Sequence, residues 1–367
     1  MGPISARSVL LKACLAAGGI AAAVLLMEAA LRVATGRRFL DKDLRLKTEG
    51  MTYQPRQKAR WAHIEWDTVV EINSEGFRDQ EHAGQPEQAS VVALGDSFTE
   101  GYGVDLDKSY SKVVESLLKQ AGFPYRVYNA GLQGRSPKDY AAIHDAFFKD
   151  KKDVRLVTMG FFVGDDIITP ETGRITPPGR KSPVYWVKRF LCEHSVSYNL
   201  IRRPIRLSTS LELLLQRYRL IGNIPIVQHW SVYKWTSRKM FQKDWDYTLA
   251  FLRDFHEKLK KQDRRFLLIY IPSKPIVDDS QYDHMLAITR VDPAQSDRFG
   301  FARYIDGFCR KNGIAFLDLT PAFVAANKKA PGAHYFKTDG HWNQAGHRLA
   351  AEEISRFIIE RKLLNRP

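Results

Sequence analysis

The stretch VVALGDSFTEGYGV, from Val91 to Val104, runs four apolar residues into Gly95-Asp96-Ser97 and then breaks into glycines. A short continuous apolar run bounded by glycine reads as a strand buried on both faces, and the polar residues after it lie at the strand's carboxyl end. Similar runs recur at Tyr125–Tyr128, Val154–Gly160, Phe266–Ile271 and Ile314–Leu317. Between and after them, amphipathic segments predict helices over Tyr110–Gln120, Pro137–Phe148, Trp245–Lys261, Ser296–Asn312 and Gln344–Arg361. Buried strands alternating with helices predict a parallel sheet covered on both faces. The expected fold class is therefore α/β, a flavodoxin-like three-layer α/β/α arrangement.

At 367 residues and 44% hydrophobic composition the chain can fill one large α/β domain with insertions. Residues 91–367 are assigned to that domain, and residues 39–90 to a polar lead-in that packs on it. The lead-in carries one alternating patch, Thr68 to Ile72, that predicts a short strand. Between Asp166 and Arg265 lie roughly one hundred residues, far more than a crossover needs. A helical insertion over about 170–244 accounts for them, either bracing the sheet edge or forming a lid or membrane-facing surface.

Residues 1–38 form an N-terminal membrane anchor or signal segment. From Ala13 to Met27 the chain is apolar and uncharged, and counted to Val33 it is about long enough, at ~1.5 Å per residue, to cross a core of ~30 Å. Glu28 and Arg32 stand four apart and pair on one side of a helix near the end of the span. A cleaved signal peptide is the rival reading, with Arg7 and Lys12 as its charged region and Ala21-Ala22-Ala23 as a cleavage site. Cleavage there leaves VLLMEAAL at the new terminus, so an uncleaved anchor is preferred. Arg32, Arg37, Arg38 and Lys42 come after the span; the positive-inside rule alone would hold the domain in the cytoplasm, although long domains translocate largely regardless of charge.

The net charge of +15 attracts anionic partners, but it is spread in short clusters such as Lys151-Lys152 and Arg202-Arg203. No zinc-finger spacing or aromatic platform accompanies them, which favours solvated faces near a membrane over nucleic-acid binding. Three cysteines are present, Cys14, Cys192 and Cys309; only Cys192 and Cys309 could pair in the soluble part, and two free thiols fit better.

In a doubly wound sheet, ligands bind beyond the carboxyl ends of the strands, so the loops there carry the chemistry. The first is Gly95-Asp96-Ser97, which is not a G-x-S-x-G elbow because Thr99 stands at the second glycine position. The second is Asn129-Ala130-Gly131, where glycine lets a backbone N–H approach a ligand. The third ends Gly164-Asp165-Asp166, and the last is Asp339-Gly340-His341. An Asp two residues before a His can accept the Nδ1 proton and leave Nε2 as a base. Ser97, His341 and Asp339 then read as nucleophile, base and orienter, with the N–H groups of Ser97 and Gly131 as oxyanion donors. Each piece alone has an ordinary structural reading: Asp96 as a turn brace, His347 as a packing histidine. A metal site on His334, Asp339, His341 and His347 matches no HExxH helix.

With these blocks, from Val91 to the C-terminus, the chain resembles the SGNH hydrolases, the GDSL-like esterase and lipase superfamily. Ile72-Asn73-Ser74-Glu75-Gly76-Phe77-Arg78-Asp79 also looks like bacterial members with an N-terminal membrane segment. The resemblance implies a serine-dependent esterase that needs no metal or cofactor. Ser97 would attack the acyl carbonyl, His341 would shuttle the proton and Asp339 would hold the imidazole. The expected substrate is an acylated carbohydrate or lipid of the envelope, with the protein anchored in a membrane and its catalytic domain periplasmic or extracellular. An O-acyltransferase using the same acyl-serine is the second reading. In the third block the family carries an Asn that donates to the oxyanion, and here Asp165 stands in its place. An ionised carboxylate only accepts hydrogen bonds, so Asp165 raises a third reading, a catalytically weak binding module.

Overall fold

The computed structural model describes residues 6–35, 46, 48–63, 65–82, 88–164, 166–169, 187, 190–191, 194–207, 241–289, 291–337 and 339–366. Its centre is a five-stranded sheet of β5 (Ser90–Gly95), β6 (Arg126–Gly131), β7 (Val154–Phe162), β8 (Arg265–Ile271) and β9 (Ala315–Asp318), in the order β6-β5-β7-β8-β9 with every neighbouring pair parallel. This is the expected doubly wound α/β fold. Each predicted strand is present, and β6 and β7 run on by two or three residues into the loops that carry the polar blocks.

The strands are buried twice, and their side chains divide by parity. Val92, Leu94, Phe266, Leu268 and Tyr270 join one core, which α4 (Pro137–Ile143), α6 (Gln242–Lys261) and α9 (Gly300–Lys311) close with Tyr140, Trp245, Leu252, Ile305 and Cys309. Val91, Ala93, Leu267 and Ile269 join the other, closed by α3 (Tyr110–Gln120), α10 (Thr320–Lys329) and α11 (Gln344–Glu360) with Val114, Leu118, Phe323 and Ile354. Helix α3 keeps its expected bounds. Pro137–Phe148 is instead helical to Ile143 and continues as a π turn over His144–Phe148. Four short or weakly amphipathic helices had no sequence signal: α2 (Ser97–Glu100), α7 (Lys274–Val277), α8 (Asp279–Thr289) and α10.

The lead-in forms two hairpins, β1 (Thr48–Glu49) with β2 (Thr52–Tyr53) and β3 (Lys58–Ala62) with β4 (Asp67–Glu71). Thr68 and Val70 point inward and Asp67, Val69 and Glu71 outward, the alternation the sequence shows. Tyr53, Trp61, Val70, Ile72 and Phe77 enter the first core, so the lead-in packs on the sheet domain. Its Arg78 is buried and donates to the carbonyls of Glu100, Gly101 and Val104.

Towards the N-terminus, α1 (Ala6–Thr35) includes Cys14–Ala34, long and apolar enough to cross a membrane. Of the insertion expected at about 170–244, the described residues include α5 (Val196–Leu207) and the start of α6. Cys309 is a buried free thiol and Cys14 an exposed one, while Cys192 lies outside the described residues.

Truncating one partner of a buried charged network leaves the others uncompensated, typically at about 3–5 kcal/mol. Arg78→Met is therefore expected to lower the thermal midpoint by at least about 6 °C, on ~2–4 °C per kcal/mol for a domain of this size. A midpoint within about 2 °C of the parent in a thermal melt would show that the Arg78 contacts are dispensable.

Candidate active site

Strand order reverses at β5, which has β6 on one side and β7 on the other, so the β5 loop opens at the switch point where such sheets bind ligands. The chain leaves β5 at Gly95 and enters α2 at once. Asp96 caps that helix by accepting from the Phe98 N–H at 2.9 Å, the bracing role its position suggests. Ser97 is thereby the first residue of the helix, with its Oγ 2.7 Å from His341 Nε2. Asp339 Oδ1 lies 2.6 Å from His341 Nδ1 and also accepts the His341 backbone N–H at 2.8 Å. With Nδ1 donating to Asp339, Nε2 is left to accept the Ser97 hydroxyl proton. Burial would raise the Asp339 carboxyl, but the His341 charge and its two N–H bonds bring it down to about 2. Asp339 thus stays ionised beside the imidazole.

Phe98 and Tyr102 flank the His341 ring, with centroids at 4.8 and 4.9 Å. Lys274 donates to the carbonyls of Phe336 and Lys337 at 2.9 and 3.0 Å, and Glu65 of the lead-in accepts the Lys337 N–H, so the segment leading to Asp339 is held from two sides.

Residues 232–367 match the family model described as SGNH hydrolase-like domain, acetyltransferase AlgX. Over these residues the chain is similar to SGNH hydrolase-like domains. No curated protein matches it. Among solved structures it is similar to a catalytic mutant of Axe2, an acetylxylan esterase from Geobacillus stearothermophilus, at 15% identity and a TM-score of 0.42, over 74% of this chain and 96% of that one. It is also similar to the acetyl xylan esterase AlAXEase (15%, TM-score 0.41, 72% and 97%) and to a member of the lipolytic protein G-D-S-L family from Veillonella parvula DSM 2008 (11%, 0.37, 74% and 96%).

The second block is arranged differently from the expectation. The Gly131 N–H donates to Asn129 Oδ1 at 3.1 Å and is not free to face an oxyanion. Gly131 is required for packing instead: a Cβ there would meet Glu100 N at 2.2 Å and Thr99 C at 2.5 Å. In the loop beyond, Leu132 N–H bonds Gly95 O, Gln133 N–H bonds Glu100 Oε2 and Arg135 N–H bonds Leu132 O. That leaves the N–H of Gly134, a left-handed residue at φ 72°, without a hydrogen bond among the described residues.

In the third block, buried Asp166 accepts from the Phe162 N–H at 2.7 Å and from Tyr140 Oη at 2.9 Å, closing the turn after β7. Asp165 lies outside the described residues. The four residues of the metal alternative do not converge. Both His341 nitrogens face Ser97 and Asp339, and His347 Nδ1 accepts the Tyr110 N–H at 3.2 Å. His347 is a buried packing histidine, lowered to about 3 by burial and by the charges of His341 and Arg78.

Glu100 is a residue that sequence reasoning missed. It is fully buried one turn after Ser97, and its carboxylate holds Gln133 beside Gly134. Burial raises this carboxyl to about 7, with Arg78, Tyr53 and the Gln133 N–H opposing the rise and Asp96 adding to it. Between pH ~4.5 and ~7 the native chain therefore holds a proton that the unfolded chain has lost, so stability falls as pH rises through that window. Glu100→Gln is expected to remove this slope and to gain up to roughly 3 kcal/mol above pH 7, at about 1.36 kcal/mol per pH unit. Thermal melts from pH 5 to 8 check it; variant and parent curves that stay parallel would exclude the raised carboxyl.

Proposed function

We propose that this protein is a membrane-anchored serine hydrolase of carboxylic esters that removes acyl groups, acetyl among them, from an envelope carbohydrate or lipid. The observation that carries the reading is the continuous hydrogen-bonded chain from Ser97 Oγ through His341 to Asp339. His341 Nε2 takes the hydroxyl proton as Ser97 Oγ attacks the acyl carbonyl, and Asp339 stabilises the imidazolium that forms. The N–H groups of Ser97 and Gly134 are the proposed donors to the tetrahedral oxyanion. His341 returns the proton to the leaving alcohol, which departs and leaves an acyl-serine. Water, deprotonated by His341, then attacks the acyl carbon and frees the acid. An acidic side chain at position 165 would have to be protonated or turned away for this oxyanion to form.

The description of the matched family names an acetyltransferase, which supports a second reading: a sugar hydroxyl in place of water in the last step. Only the acceptor differs, and product analysis with an acetyl ester and an oligosaccharide separates acetylated sugar from free acetate.

A fluorophosphonate probe is expected to label the wild-type chain and to spare Ser97→Ala. Asp339→Asn should lower kcat by roughly 10³–10⁴, because an amide no longer holds the productive tautomer. Absence of labelling in folded wild-type protein would sink both the hydrolase and the transferase readings and favour a binding module.

A further inference from the structure

Glu28 is an acid inside an otherwise apolar helix, and a charge in a membrane span needs a partner. Arg32 supplies one, with Nε 2.8 Å from Glu28 Oε1, but most of the hydrogen bonds come from elsewhere. The Glu28 carboxylate accepts from the backbone N–H groups of Val196 and Ser197 at 2.8 and 3.0 Å, and from the hydroxyls of Ser195 and Ser197 at 3.0 and 2.8 Å. Those groups are the N-terminus of α5, where unpaired amides and the helix dipole favour an anion. Arg32 also donates to the His194 carbonyl, so two side chains of α1 hold the start of α5.

Helix geometry sets the depth of this clamp. Sixteen residues separate Lys12 from Glu28, about 24 Å at ~1.5 Å per residue, close to the ~30 Å core that a snorkelling lysine would help to span. Glu28 thus falls within the C-terminal part of the apolar span Cys14–Ala34, six residues before its end, and the start of α5 is held there. Around it Val187, Phe190 and Ile201 are exposed at 58%, 60% and 62%. From Val187 to Leu207 the sequence carries five basic residues, Lys188, Arg189, Arg202, Arg203 and Arg206, against the single acid Glu193. Apolar side chains open to solvent in a basic segment, continuous with a bare apolar span, suit the headgroup region of an anionic bilayer.

We infer that α5, docked to the anchor through Glu28, lies on the membrane surface, with Phe190 and Ile201 in the lipid interface and the net positive charge of this part of the sequence drawing anionic headgroups. The inference rests on α1 spanning the membrane. The stretch belongs to the insertion that leaves β7 at the sheet's carboxyl edge, the edge that also carries Ser97.

The test uses the full-length chain in vesicles of phosphatidylcholine with about one-third phosphatidylglycerol. Bimane is attached at Phe190→Cys or Ile201→Cys in a Cys14→Ser, Cys192→Ser background, and the lipids carry bromine near the headgroup. At least twofold quenching is expected at both positions, lost on adding Glu28→Ala, while the protein still resists alkaline extraction. Unquenched label on protein that resists alkali overturns the docking and leaves the anchor standing. Release by alkali overturns the anchor and the docking with it. Equal quenching in phosphatidylcholine alone overturns the headgroup contact.

Discussion

The structure turns on a buried cation. Arg78 enters from the lead-in, and its guanidinium is buried away from solvent. It is matched instead to the last carbonyls of the nucleophile helix and to the Glu100 carboxyl behind them. Since the ends of a four-residue helix are poorly satisfied from within, a donor from outside is what allows α2 to stop at Glu100 and turn at Gly101. The same junction presses on β6, where only a glycine at 131 lets the two backbones approach. Lead-in, nucleophile turn and second block are thus one packed unit, although they lie far apart in the chain.

This explains which parts were legible in the sequence. The five strands are apolar runs longer than any turn, and their burial on both faces leaves little choice of fold. Ser97, Asp339 and His341 were legible because each comes after such a run or enters the last helix, so their convergence is a consequence of parallel strand order. That the Gly131 N–H bonds Asn129 Oδ1 is not legible in the sequence: two glycines lie three apart in one loop, and only the fold shows which amide is taken up. Glu100 gave no sign, and Arg78 stood out only as part of the Ile72–Asp79 stretch, with nothing to mark its burial. A charged residue in a loop is most often solvated, and its burial depends on the third partner that the fold brings to it.

Three titratable groups near Ser97 are shifted in different directions, which suits the proposed role of His341. Asp339 is held ionised by the imidazole it orients, whereas His347 is held neutral and occupied by a backbone amide. A charged His347 would repel the imidazolium that forms when His341 takes the serine proton; a neutral one does not. Glu100 titrates near neutral pH and adds no fixed negative charge at acidic pH behind the loop that faces the oxyanion. Environments that push neighbouring groups apart in this way are what acid–base assignments require.

Helix α1 obeys the same rule as the sheet domain, that an isolated charge in an apolar setting must be met by dipoles or by an opposite charge. In α2 the buried carboxylate lies behind the serine and gathers Gln133 N–H and Arg78 around it; in α1 the carboxylate of Glu28 gathers the first amides of α5 and Arg32. A purely apolar tether would hold the protein at the membrane but leave its orientation free. A tether with one acid placed in its C-terminal part can orient what it holds, because the helix that satisfies the acid must lie beside it. Glu28, which detracts from the hydropathy of the span, is for that reason the residue that gives the span a second role.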